Sequence, residues 1–165
     1  MSAGSDEAAE AGLQVLTFCL GTEVFAIETE MVREVLDTVV VTEVPGSRLF
    51  ITGLINVRGK VVPVIDLKAK FGMGKADQSI DSRIVVVEIA YRGDDVLVGI
   101  MADRVHEVTE LAPSSIEDAP RLGMTWRPEF IRAIGKRGGD FIIVMNTDQV
   151  FASEESLALR GVTAR

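Results

Sequence analysis

Cysteine, histidine, tryptophan and tyrosine each occur once in this 165-residue chain, and these shortages exclude much chemistry before any motif is read. Cys19 has no intrachain partner, so no disulfide framework exists and the residue reads as a small buried hydrophobe. His106 has no second histidine with which to hold zinc or relay a proton, so it reads as an ordinary strand residue. No catalytic residue, metal site or cofactor is expected. The stretch FGMGK has a phosphate-loop flavour, but the position five before Gly74 is Ala69 and no Ser or Thr follows Lys75. Basic charge is also short, since the net charge is −8, and a nucleic-acid backbone requires a basic footprint.

Long apolar runs are missing too. The longest spans five residues, Phe141 to Met145, far below a membrane crossing. The first twelve residues, MSAGSDEAAEAG, lack the basic and apolar regions of a secretory signal, which leads to the expectation of a cytoplasmic protein without direct membrane insertion. They offer little apolar surface to offset the entropy of ordering, so residues 1–12 are expected to form a disordered tail.

What the chain has in quantity is short apolar segments punctuated by turns, with 47% hydrophobic residues. LQVLTFCL and EVFAI flank Gly21-Thr22 and read as a hairpin. TEMVREVLD follows as a short helix capped by Thr29, and TVVVTEV as a strand closed by Pro45-Gly46. FITGLINV and KVVPVID form a second hairpin, and Asp66 caps a brief helix ended by Gly72. RIVVVEIAY, DVLVGIMAD and RVHEVTEL read as three more strands, then FIRAIGKRGGDFIIVMN as a last hairpin and a closing helix at about 147–160.

The second half repeats the first. At an offset of 73 residues VFAIETEMVREV matches LVGIMADRVHEV, pairing Val32 with Val105, Glu34 with Glu107 and Val35 with Val108. At an offset of 80, FITGLINVRGKVVPVID matches FIRAIGKRGGDFIIVMN, pairing Phe50 with Phe130, Gly59 with Gly139 and Val64 with Val144. Both matches run in the same order, which implies two similar β units of about 60 to 70 residues each. The expected fold is therefore mostly β, two barrels packed together with short helices: a first barrel at about 13–72, a second at about 82–150. VVPVI is apolar on both faces, so each barrel must cover the outside of the other. Pro63 then belongs at an edge or a bulge, where its missing N–H breaks no ladder bond. Phe25, Ile27, Val32, Ile55, Val64, Val85, Val87, Ile100, Val105, Ile134, Ile142 and Val144 are the expected core.

Asn56 and Gly59 fit a type I turn followed by a left-handed glycine, a three-residue hairpin loop that points Arg58 outward. The repeat mate of Arg58 is Gly138, so the turn does not require arginine. A guanidinium is a planar fork of donors suited to a carboxylate, and Glu34 is the carboxylate expected beside it. A double barrel with no catalytic constellation and an outward arginine reads as an interaction module.

The residues FCLGTEVFAIETEMVREVL, VPG and GLINVRGKVVPVIDLKAKFG, with VGIMADRVHEV and the late hairpin, resemble the CheW family of chemotaxis coupling proteins over residues 13 to about 158. Gly53, Asn56, Arg58, Gly59, Pro63, Val64, Asp66 and Leu67 fill the pattern G-x-x-N-x-R-G-x-x-x-P-V-x-D-L. The resemblance implies a single CheW-like domain at 13–165 built as two SH3-like five-stranded barrels. It further implies a non-catalytic adaptor that couples the cytoplasmic tips of methyl-accepting chemoreceptors to the regulatory domain of the histidine kinase CheA. Carried over, the partner-binding surface falls on Val32, Glu34, Gly53, Asn56 and Arg58, with Gly99 in the second unit. Two other readings stay open at this point: an adaptor of a kinase pathway outside chemotaxis, and a small-molecule-binding barrel.

Overall fold

The computed structural model describes residues 12–37, 39–44, 50–74, 78–91, 93–118 and 128–151. The expected tail up to residue 11, the loop holding Trp126 and the closing helix beyond Phe151 lie outside the described residues. Among the described residues, eleven strands run in chain order: β1 Leu13–Leu20, β2 Glu23–Glu28, β3 Val32–Leu36, β4 Ile51–Val57, β5 Lys60–Ile65, β6 Arg83–Tyr91, β7 Asp94–Ala102, β8 Arg104–Leu111, β9 Ile116–Glu117, β10 Ile131–Arg137 and β11 Asp140–Met145. Two one-turn helices follow the last strand of each repeat, α1 Leu67–Lys70 and α2 Thr147–Val150. Both are capped alike: Asp66 accepts from the Ala69 N–H and Asn146 from the Gln149 N–H, satisfying an amide that one turn of helix leaves open.

The chain is mostly β, in two sheets, as expected. The sheets, however, do not divide it at residues 72–82. One sheet runs β3-β6-β7-β5-β4, the other β8-β1-β2-β11-β10-β9. The N-terminal hairpin β1–β2 thus pairs with strands of the second half, and β6–β7 with strands of the first. Each repeat gives its first two strands to the other's sheet. Two parallel pairings close the exchange, Val64↔Gly99 with Ile65↔Ile100, and Ile143↔Phe25 with Val144↔Ala26. These are the same contact in the two halves, because Val64 matches Val144 and Gly99 matches Ala26. Hairpin signals are local, and nothing local in a sequence marks a two-residue parallel pairing between distant segments.

Three apolar layers result. Ile55, Val57, Val62, Val64, Ile84, Val86 and Met101 fill the barrel of the β3-β6-β7-β5-β4 sheet, and Val15, Ala26, Leu111, Ala133, Ile142 and Val144 fill the other. Between the barrels lies the largest layer, with Phe18, Leu20, Phe25 and Ile27 from one side against Ile65, Val85, Val87 and Ile100 from the other. Most of the expected core is buried; Val32, Val105 and Ile134 are only half-buried, the first two because they flank sheet edges against the shared layer.

Pro63 lies in a paired strand rather than at an edge. Leu54 opposite it exchanges both backbone bonds with Thr42, at 2.8 Å each, so both groups of Leu54 point away from β5. The Leu54–Pro63 pair is therefore a non-hydrogen-bonded one, the ladder to β7 starts at Val64, and the absent N–H breaks no bond. Two other expectations change. The segment after Thr29 makes a single 3-10 turn, Thr29–Met31, and then strand β3 instead of a helix, because Val32 to Leu36 pair with β6. Of TVVVTEV, the described residues 39–44 make the isolated bridge at Thr42 instead of a strand, and Val39 and Val41 pack against the barrel core.

Thr147, at the start of α2, is 1% exposed and its hydroxyl oxygen has no hydrogen-bond partner among the described residues. Its repeat mate Leu67 is fully buried. Thr147→Val keeps the shape and removes an unsatisfied polar atom, so it should raise the unfolding free energy by about 1 kcal/mol in urea melts. A clear loss of stability would show that the hydroxyl has a partner in solution.

Candidate functional site

The β4–β5 turn is tighter than the spacing of Asn56 and Gly59 suggests. Val57 pairs with Lys60, leaving a two-residue loop in which Arg58 has φ +52° and Gly59 φ +86°. Both are left-handed, which is the type I′ geometry that suits the twist of adjacent strands. Asn56 supports it by accepting the Gly59 N–H at 2.8 Å. The second repeat builds the same turn from Gly138 and Gly139, at φ +58° and +87°. Arg58 is the only non-glycine residue with positive φ among the described residues. A side chain there costs on the order of 1 kcal/mol relative to glycine.

Nothing local offsets that cost. The Arg58 Nε donates to Glu34 Oε2 at 2.9 Å, but the arginine side chain is 83% exposed, and ion pairs in that setting contribute little to stability. The hydrogen bond to Glu34, and then the carboxylate's charge, push the guanidinium pKa above its ordinary value, so the group is always cationic. Only Nε is used; the two Nη groups have no partner among the described residues and face solvent as an open fork. Glu34 is held more firmly, its side chain 24% exposed on β3. The register slips by one residue between Val32 and Glu34, a bulge that re-aims the carboxylate toward the turn. Val35, next to Glu34 on β3, and Val61, three residues beyond Arg58 on β5, are exposed.

The second barrel holds a copy of this pair that the repeat alignment misses. Glu107, the mate of Glu34, bonds Arg137 at 3.2 Å, and Arg137 also donates to Thr109 at 2.8 Å. There the arginine sits one residue earlier, at the end of β10, and the left-handed position goes to Gly138. An ion pair across the barrel end therefore needs no strained residue. The visible signal was an arginine beside, rather than at, the matched position. The contrast isolates what is peculiar to Arg58: a strained backbone that leaves its fork more exposed, 83% against 51%. Strained backbone positions of this kind cluster at functional sites.

The other expected site residues take different parts. Val32 is half-buried against the shared layer. Asn56 is exposed, and its amide is engaged by the turn. Gly53 and Gly99 are buried. A Cβ on Gly53 would lie 2.3 Å from the Thr42 carbonyl oxygen. A Cβ on Gly99 would meet Ile84 Cγ2 at 2.9 Å. At the matching place in the other barrel Ala26 packs with the smaller Val15 in one core, so the volume is exchanged between neighbours.

Residues 14–155 match the CheW-like domain model. The chain is 31% identical to the chemotaxis protein CheW of Klebsiella aerogenes, over 92% of this chain and 89% of that one. It is 29% identical to the chemotaxis protein CheW of Thermotoga maritima, over 90% and 93%, and 28% identical to the protein PilI of Pseudomonas aeruginosa, over 76% and 68%. The crystal structure of the scaffolding protein TtCheW from Thermoanaerobacter tengcongensis superposes with a TM-score of 0.76 at 37% identity, covering 87% of this chain and 94% of that one.

Gly53→Ala separates architecture from recognition. The backbone clash with Thr42 should lower stability by about 1–3 kcal/mol, read as a lower melting temperature. An unchanged melting temperature would mean that the Thr42 segment does not press on β4.

Proposed function

The chain belongs to the CheW-like domain family, and from that premise we propose that it is a non-catalytic coupling adaptor between the cytoplasmic tips of chemoreceptors and the regulatory domain of the histidine kinase CheA. The observation that carries this reading is the Arg58–Glu34 pair: an arginine kept in a left-handed turn position at a cost in stability, its fork open to solvent, beside a carboxylate fixed by a bulge. A guanidinium so presented suits a carboxylate on a partner surface. No helix among the described residues is long and apolar enough to cross a membrane, and a cytoplasmic place beside membrane-bound receptors is part of the proposal.

A second reading rests on the relative named PilI, which shares 28% identity over 76% of this chain and whose name is not that of a chemotaxis CheW protein. In that reading the same surface serves a kinase pathway outside chemotaxis. Affinity capture from the source cell separates the two, since the kinase and receptors recovered with the chain identify the pathway. Arg58→Glu tests the site itself: it places a carboxylate against Glu34 and against an acidic partner surface, so binding to the kinase's regulatory domain should weaken by about tenfold or more. The melting temperature should move little. Normal binding per folded molecule would remove Arg58 from the interface.

A further inference from the structure

The two barrels are joined where the chain passes from one sheet to the other, and one crossing carries a carboxylate clamp. Asp103 is the single residue between β7 and β8. Its Oδ2 accepts the Gly21 N–H at 2.6 Å, from the β1–β2 turn, and pairs with the Lys68 ammonium at 3.2 Å, from α1. The Asp103 N–H in turn donates to the Cys19 carbonyl at 3.0 Å. With side-chain exposures of 15% for Lys68 and 27% for Asp103, this pair is the most enclosed of the ion pairs among the described residues. One carboxylate thus ties together a hairpin of the first-described barrel's neighbour, the crossing itself, and the helix that ends β5.

The repeat shows that this is a built contact. β6 stands to β3 as β1 stands to β8, through Val87↔Val32 and Phe18↔Val105, which sets Ala90 at the place of Gly21. The Ala90 N–H is accepted at 3.2 Å by Asp148 of α2, and Asp148 is the repeat mate of Lys68. In both halves, then, the helix of one barrel pins a hairpin amide of the other. One half does so directly through an aspartate. The other half has lysine at that helical position, and Asp103 bridges the two like-signed donors.

We propose that the Lys68–Asp103–Gly21 clamp fixes the angle between the two barrels, with Asp103 as the positioning residue. Apolar packing between the barrels is non-directional, whereas a carboxylate shared by an amide and an ammonium is directional. The clamp therefore sets how the ends of the two barrels face partners, and this holds whether or not the coupling role above is correct.

The test is a distance measurement on the full chain alone. Spin labels are placed at Val61→Cys and Glu110→Cys, exposed on different sheets, in a Cys19→Ser background. Asp103→Ala should shift or widen the distance distribution, and the Gly21 amide should exchange with solvent about tenfold faster. Lys68→Arg should reproduce the parent distribution, and Lys68→Met should widen it. Should Asp103→Ala fail to fold, Lys68→Met decides the matter. A folded Asp103→Ala or Lys68→Met whose distribution superposes on the parent would overturn the proposal.

Discussion

Everything in this molecule is arranged around one apolar layer that belongs to neither barrel. Each sheet has two dry faces, one turned into its own barrel and one onto the layer between them, which is why KVVPVI carries almost no polar residue. Most of the phenylalanines collect there: Phe18 stacks on Phe25 with centroids 6.1 Å apart, Phe25 on Phe71 at 5.9 Å, and Phe71 meets Phe130 at 6.3 Å. Lys70 caps this group, its ammonium 4.9 Å from the Phe130 ring centre. A half of this protein on its own would expose the whole layer to water. Non-directional burial of that extent holds the barrels together, while the polar clamps at the crossings give the assembly its angle.

Strand exchange follows from the same constraint. Because β1–β2 and β6–β7 each leave their own repeat, the shared layer is lined by strands from both repeats on both sides, and neither barrel closes without the other. Small differences between the halves are then absorbed locally, as where Gly99 and Ile84 replace the combination of Ala26 and Val15. The repeat is tolerant in its core. It is much less tolerant at Gly53, where another stretch of backbone crosses.

The sequence made the hairpins, the duplication and most of the core readable, because period-2 apolar patterning and turn residues are local signals. It misled wherever the pattern was broken by a bulge. Val32 and Leu36 are four apart, a helical spacing, yet they lie on one strand whose register slips beside Arg33. The turn at Arg58 differs from its expected type for a related reason: Asn56 and Gly59 at the first and fourth positions fit a three-residue loop, but Val57 pairs with Lys60 and leaves only two. The pairing of Glu34 with Arg58 was legible from chemistry. Its copy at Glu107 and Arg137 was not, since the two arginines occupy adjacent rather than matching positions. Gly53 and Gly99 were grouped with the surface by resemblance, and only their neighbours reveal them as packing residues.

Stability and recognition make opposite demands at one backbone position. Glycine is the better residue for that turn, as Gly138 demonstrates, and arginine occupies it. Arg58→Gly is therefore the most direct measurement, made as an unfolding curve and a kinase-binding isotherm on the same sample. The account predicts equal or higher stability, by up to about 1 kcal/mol, together with weakened binding. A variant that is less stable and binds normally would contradict it, because the arginine would then serve the fold.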